Sequence, residues 1–414
     1  MNYDYDAVIV GAGIIGQALA LGLGMQGFDV ALIEASDEPK LDNLNENEFS
    51  SRVSAISSSS QRLLTELGAW QNIARMQEYT KMEVSDQDGF GGISFNKQEL
   101  LDNINASALV GQQPSLGHII ENNVINDALF QSISNLPNVT CFFNASVKGM
   151  DTNYVSANVV LQLPSSSKNS QANEPEFKSL STKLLVGADG ANSRVRGSLG
   201  FKYTFNDYDH TAIVFNVQTS NPHNQVAKQV FTPYGPLAFL PLANSHQCSV
   251  VFSQQNERAA ELMAMDESEF SKLLRVTIDN YYGECKLVTK RSSFPLRMRY
   301  AKSWIKPHIV ILGDAAHTIH PLAGQGANLG LGDVKYLLDL IKHNPDKFGS
   351  YYQLRQFERS RKAEAVKVIA TMQGFKELFD GSNPIKRLVR NTGLLVASNA
   401  SPLKSFFIKQ AMGS

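Results

Sequence analysis

The chain has 414 residues, 43% of them hydrophobic and 19% charged, with a formal net charge of −1. That length predicts two or three domains with a sizeable core. The even charge balance argues against nucleic-acid binding and against disorder, and no apolar run reaches the ~18 residues of a membrane span. Three widely spaced cysteines, Cys141, Cys248 and Cys285, suit a reducing cytoplasm, and the acidic start MNYDYD lacks the basic residues of an export signal.

Residues 6–34, DAVIVGAGIIGQALALGLGMQGFDVALIE, read as a strand (6–10), a Gly-rich turn, a helix (14–26) and a second strand (29–33) ending at Glu34. In Gly11-x-Gly13-x-x-Gly16, Gly11 permits the tight turn and Gly13 lets backbone approach a pyrophosphate. Gly16 lets the helix pack close to the strand. The helix N-terminus offers free N–H groups and about half a positive charge. Glu34 can accept ribose hydroxyls and disfavours a 2′-phosphate, so the expected dinucleotide is FAD or NAD, not NADP. The plainer alternative is a glycine turn in an ordinary α/β protein.

A polar stretch (35–50) reads as a surface loop. SRVSAISSSSQRLLTELGAWQNI (51–73) opens with small residues and becomes an amphipathic helix through Leu63, Leu64 and Leu67. Strand and turn signals follow over 79–120, with DQDGFGGISF as a hairpin. Residues 121–136 predict a helix and 139–151 a strand entering a hairpin. The apolar-poor segment 164–181 predicts an exposed loop before LLVGADG (184–190) resumes the core pattern.

In GADGANSRVR (187–196), Asp189-Gly190 is a turn and Asn192-Ser193 can start a helix. Read locally, this is a well-capped strand–helix turn with Arg194 and Arg196 exposed. Residues 205–300 are strand-rich, interrupted by a helix at 267–282. Within them FTPYGPLAFLPL (231–242) could wall a ring-shaped ligand through Phe231, Phe239 and Pro241; ordinary sheet core is the alternative.

HIVIL (308–312) reads as a buried strand leading into GDAAHTIHPLAGQGANLG (313–330). After Gly313, the Asp314 carboxylate can reach a chain of sugar-like hydroxyls. Pro321 rigidifies the loop, and Gly324 and Gly326 let backbone N–H groups face a ligand. Asn328 falls near the start of the next helix, which can stabilise negative charge. His317 and His320 lack an accompanying Glu or Cys, so no metal is expected. The remainder reads as helical.

The predicted fold class is α/β. A discontinuous Rossmann-like domain (1–78, 118–204, 302–363) surrounds an inserted sheet-rich domain (79–117, 205–301), and a helical segment (364–414) follows. From Glu364 onward that segment carries seven Lys/Arg against three Glu/Asp, with SFFI interleaved. It suits a membrane-surface or partner-docking face.

These pieces, in this order, resemble the class A flavoprotein monooxygenases, the aromatic hydroxylases, over nearly the whole chain. SRVSAISSSSQRLL, LGHIIENNVINDAL, GADGANSRVR, FLPL and GDAAHTIHPLAGQGANLG look like the ubiquinone-biosynthesis hydroxylases of that family. The stretch MQGFKELFDGSNPIKRLVR (372–390) is most similar to the 2-polyprenylphenol hydroxylases, which act at ring position C5. The late-pathway hydroxylases of the methoxy-methyl benzoquinol are the nearest alternative.

The resemblance implies FAD as cofactor, O2 as co-substrate and NAD(P)H or a reductase partner as electron source. It also implies a polyprenylated phenol as substrate, oxygenated by a flavin C4a-hydroperoxide in a dry cavity. Asp314 would bind the ribityl chain, and the backbone of Gly324, Gln325, Gly326, Ala327 and Asn328, beside Pro321, would face the flavin. Arg52 would sit near the pyrophosphate or flavin, and Asp189-Gly190 would support FAD and the reductant. Other ubiquinone-biosynthesis proteins are implied partners. The expected location is cytoplasmic, peripheral to the inner membrane.

One departure stands out. Asn122-Asn123-Val124-Ile125 occupies the place where many aromatic hydroxylases carry an R-x-x-L helix start. A non-oxygenating FAD oxidoreductase and a scaffold holding FAD for structure are the competing classes. A flavin halogenase fits poorly, because Trp70 and Trp304, the only tryptophans, form no W-x-W-x-I-P.

Overall fold

The computed structural model describes residues 3–379 apart from 42–44, 46, 88, 90–91, 100–114, 154, 165–175 and 319–324. The N-terminal unit is β1 (Tyr5–Val10), α1 (Ile14–Met25) and β2 (Val30–Ile33). β1 has four fully buried apolar residues, as a strand covered on both faces requires. Along α1, small residues let neighbouring elements approach closely. A Cβ on Gly22 would lie 2.3 Å from Leu338 Cδ1, and one on Gly24 would lie 2.6 Å from Val139 Cγ2.

Five parallel strands run in the order 309–311, 176–187, β1, β2, 139–142. The register places Val10 beside both Gly187 and Ile33, and Gly187 beside Ile311. The ladder continues one bond past each strand end, with Gly11 N donating to Ile33 O, Ala188 N to Val10 O and Leu312 N to Gly187 O. Four loops from distant parts of the sequence therefore leave the sheet side by side at its carboxyl edge, where open α/β sheets bind ligands.

A second sheet runs 317–318, 292–301, 203–219, 247–255, 235–241, 226–232, 81–86, 92–96. One face packs under helices 256–264 and 267–277 through Phe215, Leu237, Phe239, Phe270 and Leu274. The hairpin expected in DQDGFGGISF is the antiparallel pair 81–86 and 92–96. The helix expected over 267–282 ends at Thr277, because Asp279 and Asn280 take positive φ (53° and 57°). The sequence 51–73 divides into a strand, 53–56, and a helix, 58–66, capped by Ser57, whose hydroxyl accepts from Ser60 N.

That first strand joins 118–121 and 77–78 in a small third sheet. Nearby, Arg75 forms a two-pronged bond to buried Glu121 (2.8 and 2.9 Å) and donates to the Asn45 and Glu48 carbonyls. From the second sheet, Asn216 Nδ2 donates to Phe49 O. The segment leading to Arg52 is thus held from both sides.

Among the described residues no helix is long and apolar enough to cross a membrane. The basic segment beyond 379, with its SFFI, lies outside them.

Candidate functional site

Two connected chambers line the carboxyl edge of the parallel sheet, about 540 and 450 Å3 in volume, sharing Gly13, Ala188 and Gly190. Gly11, Glu34, Asp189 and Arg194 line the larger. Arg52, Asp314, Gly326 and Ala327 line the smaller. Residues from the glycine motif, the Arg52 segment, the Asp189 turn and the Asp314 loop thus border one trough.

The glycines differ in what they do there. Gly11 has φ +102°, and a Cβ on it would lie 2.5 Å from Ala188 O, so both the turn and the neighbouring loop require glycine. A Cβ on Gly16 would lie 1.8 Å from Gly11 O, which identifies Gly16 as the close contact between helix and turn. A Cβ on Gly13 would meet nothing within 4 Å; it would occupy the open trough. Gly313 (φ +54°) sits behind the trough against Ile15.

The polar groups are held but not saturated. Glu34 accepts Ala12 N–H on one carboxylate oxygen (2.7 Å) and Ser36 N–H on the other (3.0 Å), leaving acceptor capacity on both. Asp189 Oδ2 accepts from Arg194 N and Val195 N (2.6 and 3.1 Å), while its buried Oδ1 has no partner. Asp314 opens onto the trough, and among the described residues nothing donates to its carboxylate. The side chain is solvent-exposed, but desolvation by the surrounding walls pushes its pKa up from the ordinary value, with His317 pulling the other way. The Arg52 guanidinium makes no ion pair among the described residues and lies 5.1 Å from the Phe294 ring centroid. An acceptor-rich end, open backbone at Gly13 and an unpaired arginine fit a pyrophosphate-linked dinucleotide.

Several expectations change. Arg196 is buried, donating to Ala315 O (2.9 Å) and Ala191 O (2.6 Å), so it ties the Asp189 turn to the Asp314 turn. Arg194 is exposed, as expected, and donates to Val147 O. The Asn328 side chain straps helix 325–343 to the small sheet, accepting from Ser57 N and donating to Ala55 O. His317 is bonded to buried Asp333 at 2.6 Å.

Phe239 is fully buried, stacked on Tyr282 at 5.0 Å under the helices. Strand alternation puts Pro241 on that same face, whereas Phe231, cross-strand from Pro236, is on the opposite one. The helix-covered face is therefore ordinary core, which removes Phe239 and Pro241 as pocket walls. Pro321 and Gly324 lie outside the described residues, as does His320, and Gln325 opens helix 325–343.

The structure also gives a place to residues that sequence reasoning noticed only as a departure, and adds Asn126 to them. Asn122, Asn123 and Asn126 line the smaller chamber, and the buried Asn126 Oδ1 has no partner. The departure from R-x-x-L thus presents amides to the trough. Their i, i+4 spacing was the available signal.

A profile of the FAD binding domain family matches residues 4–371. The chain is 32% identical to the ubiquinone biosynthesis monooxygenase COQ6, mitochondrial, of Danio rerio, over 97% of this chain and 88% of that protein. It is 31% identical to the 3-demethoxyubiquinol 3-hydroxylase of Escherichia coli (strain K12), over 100% of this chain and 99% of that one. Its fold is similar to that of the p-nitrophenol 4-monooxygenase PnpA from Pseudomonas putida DLL-E4, with a TM-score of 0.78 and 18% identity, covering 99% and 98% of the two chains.

Proposed function

We propose a ring hydroxylase of ubiquinone biosynthesis: the chain belongs to the FAD-binding family of flavin-dependent aromatic monooxygenases, enzymes that use FAD, NAD(P)H and O2. The observation that carries this reading is the single trough built from three distant motifs, in a chain aligned end to end with two ubiquinone-biosynthesis relatives. The substrate we propose is a polyprenylated phenol, hydroxylated at C5, on the similarity of residues 372–390. The end-to-end match to a 3-demethoxyubiquinol 3-hydroxylase supports the late-pathway benzoquinol as the second reading.

When bound, FAD supplies the oxygen-activating chemistry; the chain binds, orients and dries it. Glu34 takes the adenosine ribose with its remaining acceptor capacity. Backbone N–H groups at Gly13 and the start of α1 take the pyrophosphate, assisted by Arg52. Asp189 Oδ1 and Asp314 accept hydroxyls of the linking chain, and the backbone of Gly326 and Ala327 faces the ring. The sheet face carrying Phe231, Ala238 and Leu240 supplies the apolar wall over the reacting ring. We retain the division into a cofactor domain and an inserted substrate domain on that basis, with the two sheets as their centres.

The FAD-loaded protein, given NAD(P)H, 18O2 and either a polyprenylphenol or the demethoxy benzoquinol, is expected to yield one product carrying one 18O atom. The substrate that reacts fixes the ring position. Hydrogen peroxide alone, with no labelled product from either, would sink the reading.

Asp314→Ala should cut FAD occupancy severely without destabilising the apoprotein at neutral pH. The folded-state pKa of Asp314 is raised, so any contribution it makes to stability is present at low pH and lost as pH rises through that value. Paired flavin absorbance and melting measurements decide: full occupancy would remove Asp314 from the site.

A further inference from the structure

We infer that His210 is the base that takes the proton of the substrate's ring hydroxyl while the ring is oxygenated. This rests on the ring-hydroxylase reading and adds which side chain handles the proton; both substrates weighed above carry such a hydroxyl. His210 lies on strand 203–219 and is 7% exposed. Its Nδ1 is 2.7 Å from the Tyr208 carbonyl, which can only accept. Nδ1 therefore carries the hydrogen, and Nε2 of the neutral ring is left as an acceptor. Among the described residues Nε2 has no partner, and it is not sealed from open space.

The local backbone aims this ring. Strand 292–301 pairs Arg297 with Asp207 and the residue before it, Leu296, with His210, so Tyr208 and Asp209 bulge out of the ladder. Asp209 takes φ +54°, uncommon for a residue other than glycine. Bulges of this kind re-aim side chains beside active sites.

Register fixes the direction. His210 is opposite Leu296 and Ala212 opposite Phe294, so all four share one face of the sheet. Arg52, which lines the smaller chamber, lies 5.1 Å from the Phe294 ring centroid. Two residues along a strand span about 7 Å, so His210 stands beside that chamber. The same face continues through Val214 and Val251 to Ala238, part of the apolar wall given to the reacting ring. Tyr208, Ala212 and Leu296 form a small apolar cluster there, with Val251 and Met298 packed on it. The neighbouring alternatives are unsuited. His317 is bonded to Asp333, and burial pushes the Tyr208 phenol up, which keeps it protonated. In the step itself the phenolic O–H bond breaks, its electron pair stays on the oxygen and its proton goes to Nε2. The enriched ring then takes an electrophilic oxygen from O2, at the expense of two electrons from the reductant. As the oxygenated carbon sheds its hydrogen to solvent, the neighbouring carbonyl oxygen takes the proton back from Nε2, and His210 is neutral again.

Single-turnover oxidation tests this: the reduced, FAD-loaded protein is mixed with O2 and a short-chain form of whichever of the two substrates wild type hydroxylates. His210→Asn can keep the bond to the Tyr208 carbonyl but accepts no proton. Flavin content and melting temperature should be kept. Hydroxylation should slow about 100-fold, the low end for losing a general base, and the missing product should appear as hydrogen peroxide. A ring-fluorinated analogue, whose hydroxyl ionises more readily, should recover most of that loss in the variant. His210→Gln is the second arm should asparagine disturb the fold, with the same pattern expected.

Hydroxylation at the wild-type rate in either variant overturns the assignment and leaves the ring-hydroxylase reading standing. Equal slowing with the ordinary and the fluorinated substrate overturns it too, because a residue that only shapes the site would give that result. Wild-type protein that forms no hydroxylated product from either substrate strikes the ring-hydroxylase reading, and the base with it.

Discussion

Replacing Asp333 by Ala is expected to cost the folded protein about 3–5 kcal/mol at neutral pH, the range for breaking a buried ion pair from one side. Asp333 is fully buried in helix 325–343 and serves three elements. Its Oδ2 accepts from Gly313 N (3.1 Å) and meets His317 Nε2 (2.6 Å), and its Oδ1 accepts from Arg361 Nε (2.8 Å) on helix 351–379. Alanine leaves the Arg361 guanidinium, itself mostly buried, without a counter-charge, and leaves the Gly313 N–H without an acceptor.

The pH dependence gives this prediction a second edge. Burial alone would raise the Asp333 pKa, but His317 and Arg361 outweigh it and hold the carboxyl below the usual value. A depressed folded-state pKa contributes stability that is complete above the unfolded value, ~4, and fades as pH falls through the folded value. The gap in melting temperature between wild type and Asp333→Ala should therefore be widest near pH 7 and narrow below about pH 4. A constant gap would mean that packing, not charge, is what the substitution removes. Because Gly313 precedes Asp314, the variant should also release FAD more readily, and adding FAD should restore part of the lost melting temperature.

The network around Asp333 also shows where sequence reading stops. The dinucleotide turn was legible because everything it needs is local: an apolar strand, glycines at fixed spacing, a helix and an acid at the next strand end. The Asp189 and Asp314 turns were legible for the same reason, each a glycine turn after a short apolar run. Their convergence follows from parallel register, which no local pattern states.

Asp333, His317 and Arg361 meet across separations of 16 and 28 residues, and nothing in their own neighbourhoods announces it. Arg196 read as a surface arginine because local sequence cannot reveal that two loop carbonyls lie over it. Phe239 failed for another reason. Its strand has buried residues on its helix-covered face and half-buried ones on the other, so alternation separates two faces without saying which meets the cofactor. The asparagines of 122–126 were noticed as a departure, but their value as cavity-lining amides needed the fold.

The glycine motif yields the other large effect, and it separates two uses of one residue type. Gly16→Ala would put a methyl group 1.8 Å from Gly11 O, a backbone atom that cannot rotate away. The whole of α1 must back off, yet farther along it is already close-packed against Leu338 at Gly22 and Val139 at Gly24. Overpacking of this kind costs about 1–3 kcal/mol and occasionally more. A turn displaced by roughly 1 Å should lose on the order of 100-fold in cofactor affinity, by analogy with misplaced reacting groups.

Gly13→Ala is the matched control. Its φ of −74° suits any residue, and the added methyl enters open trough, so the apoprotein should melt where wild type does. FAD, however, would meet that methyl where its pyrophosphate approaches the backbone. The expected pattern is a lowered apo melting temperature and lost flavin for Gly16→Ala, against an unchanged apo melting temperature and lost flavin for Gly13→Ala. Flavin retained at full occupancy in Gly13→Ala would show that the phosphates do not pass over this turn, and the trough would need another occupant.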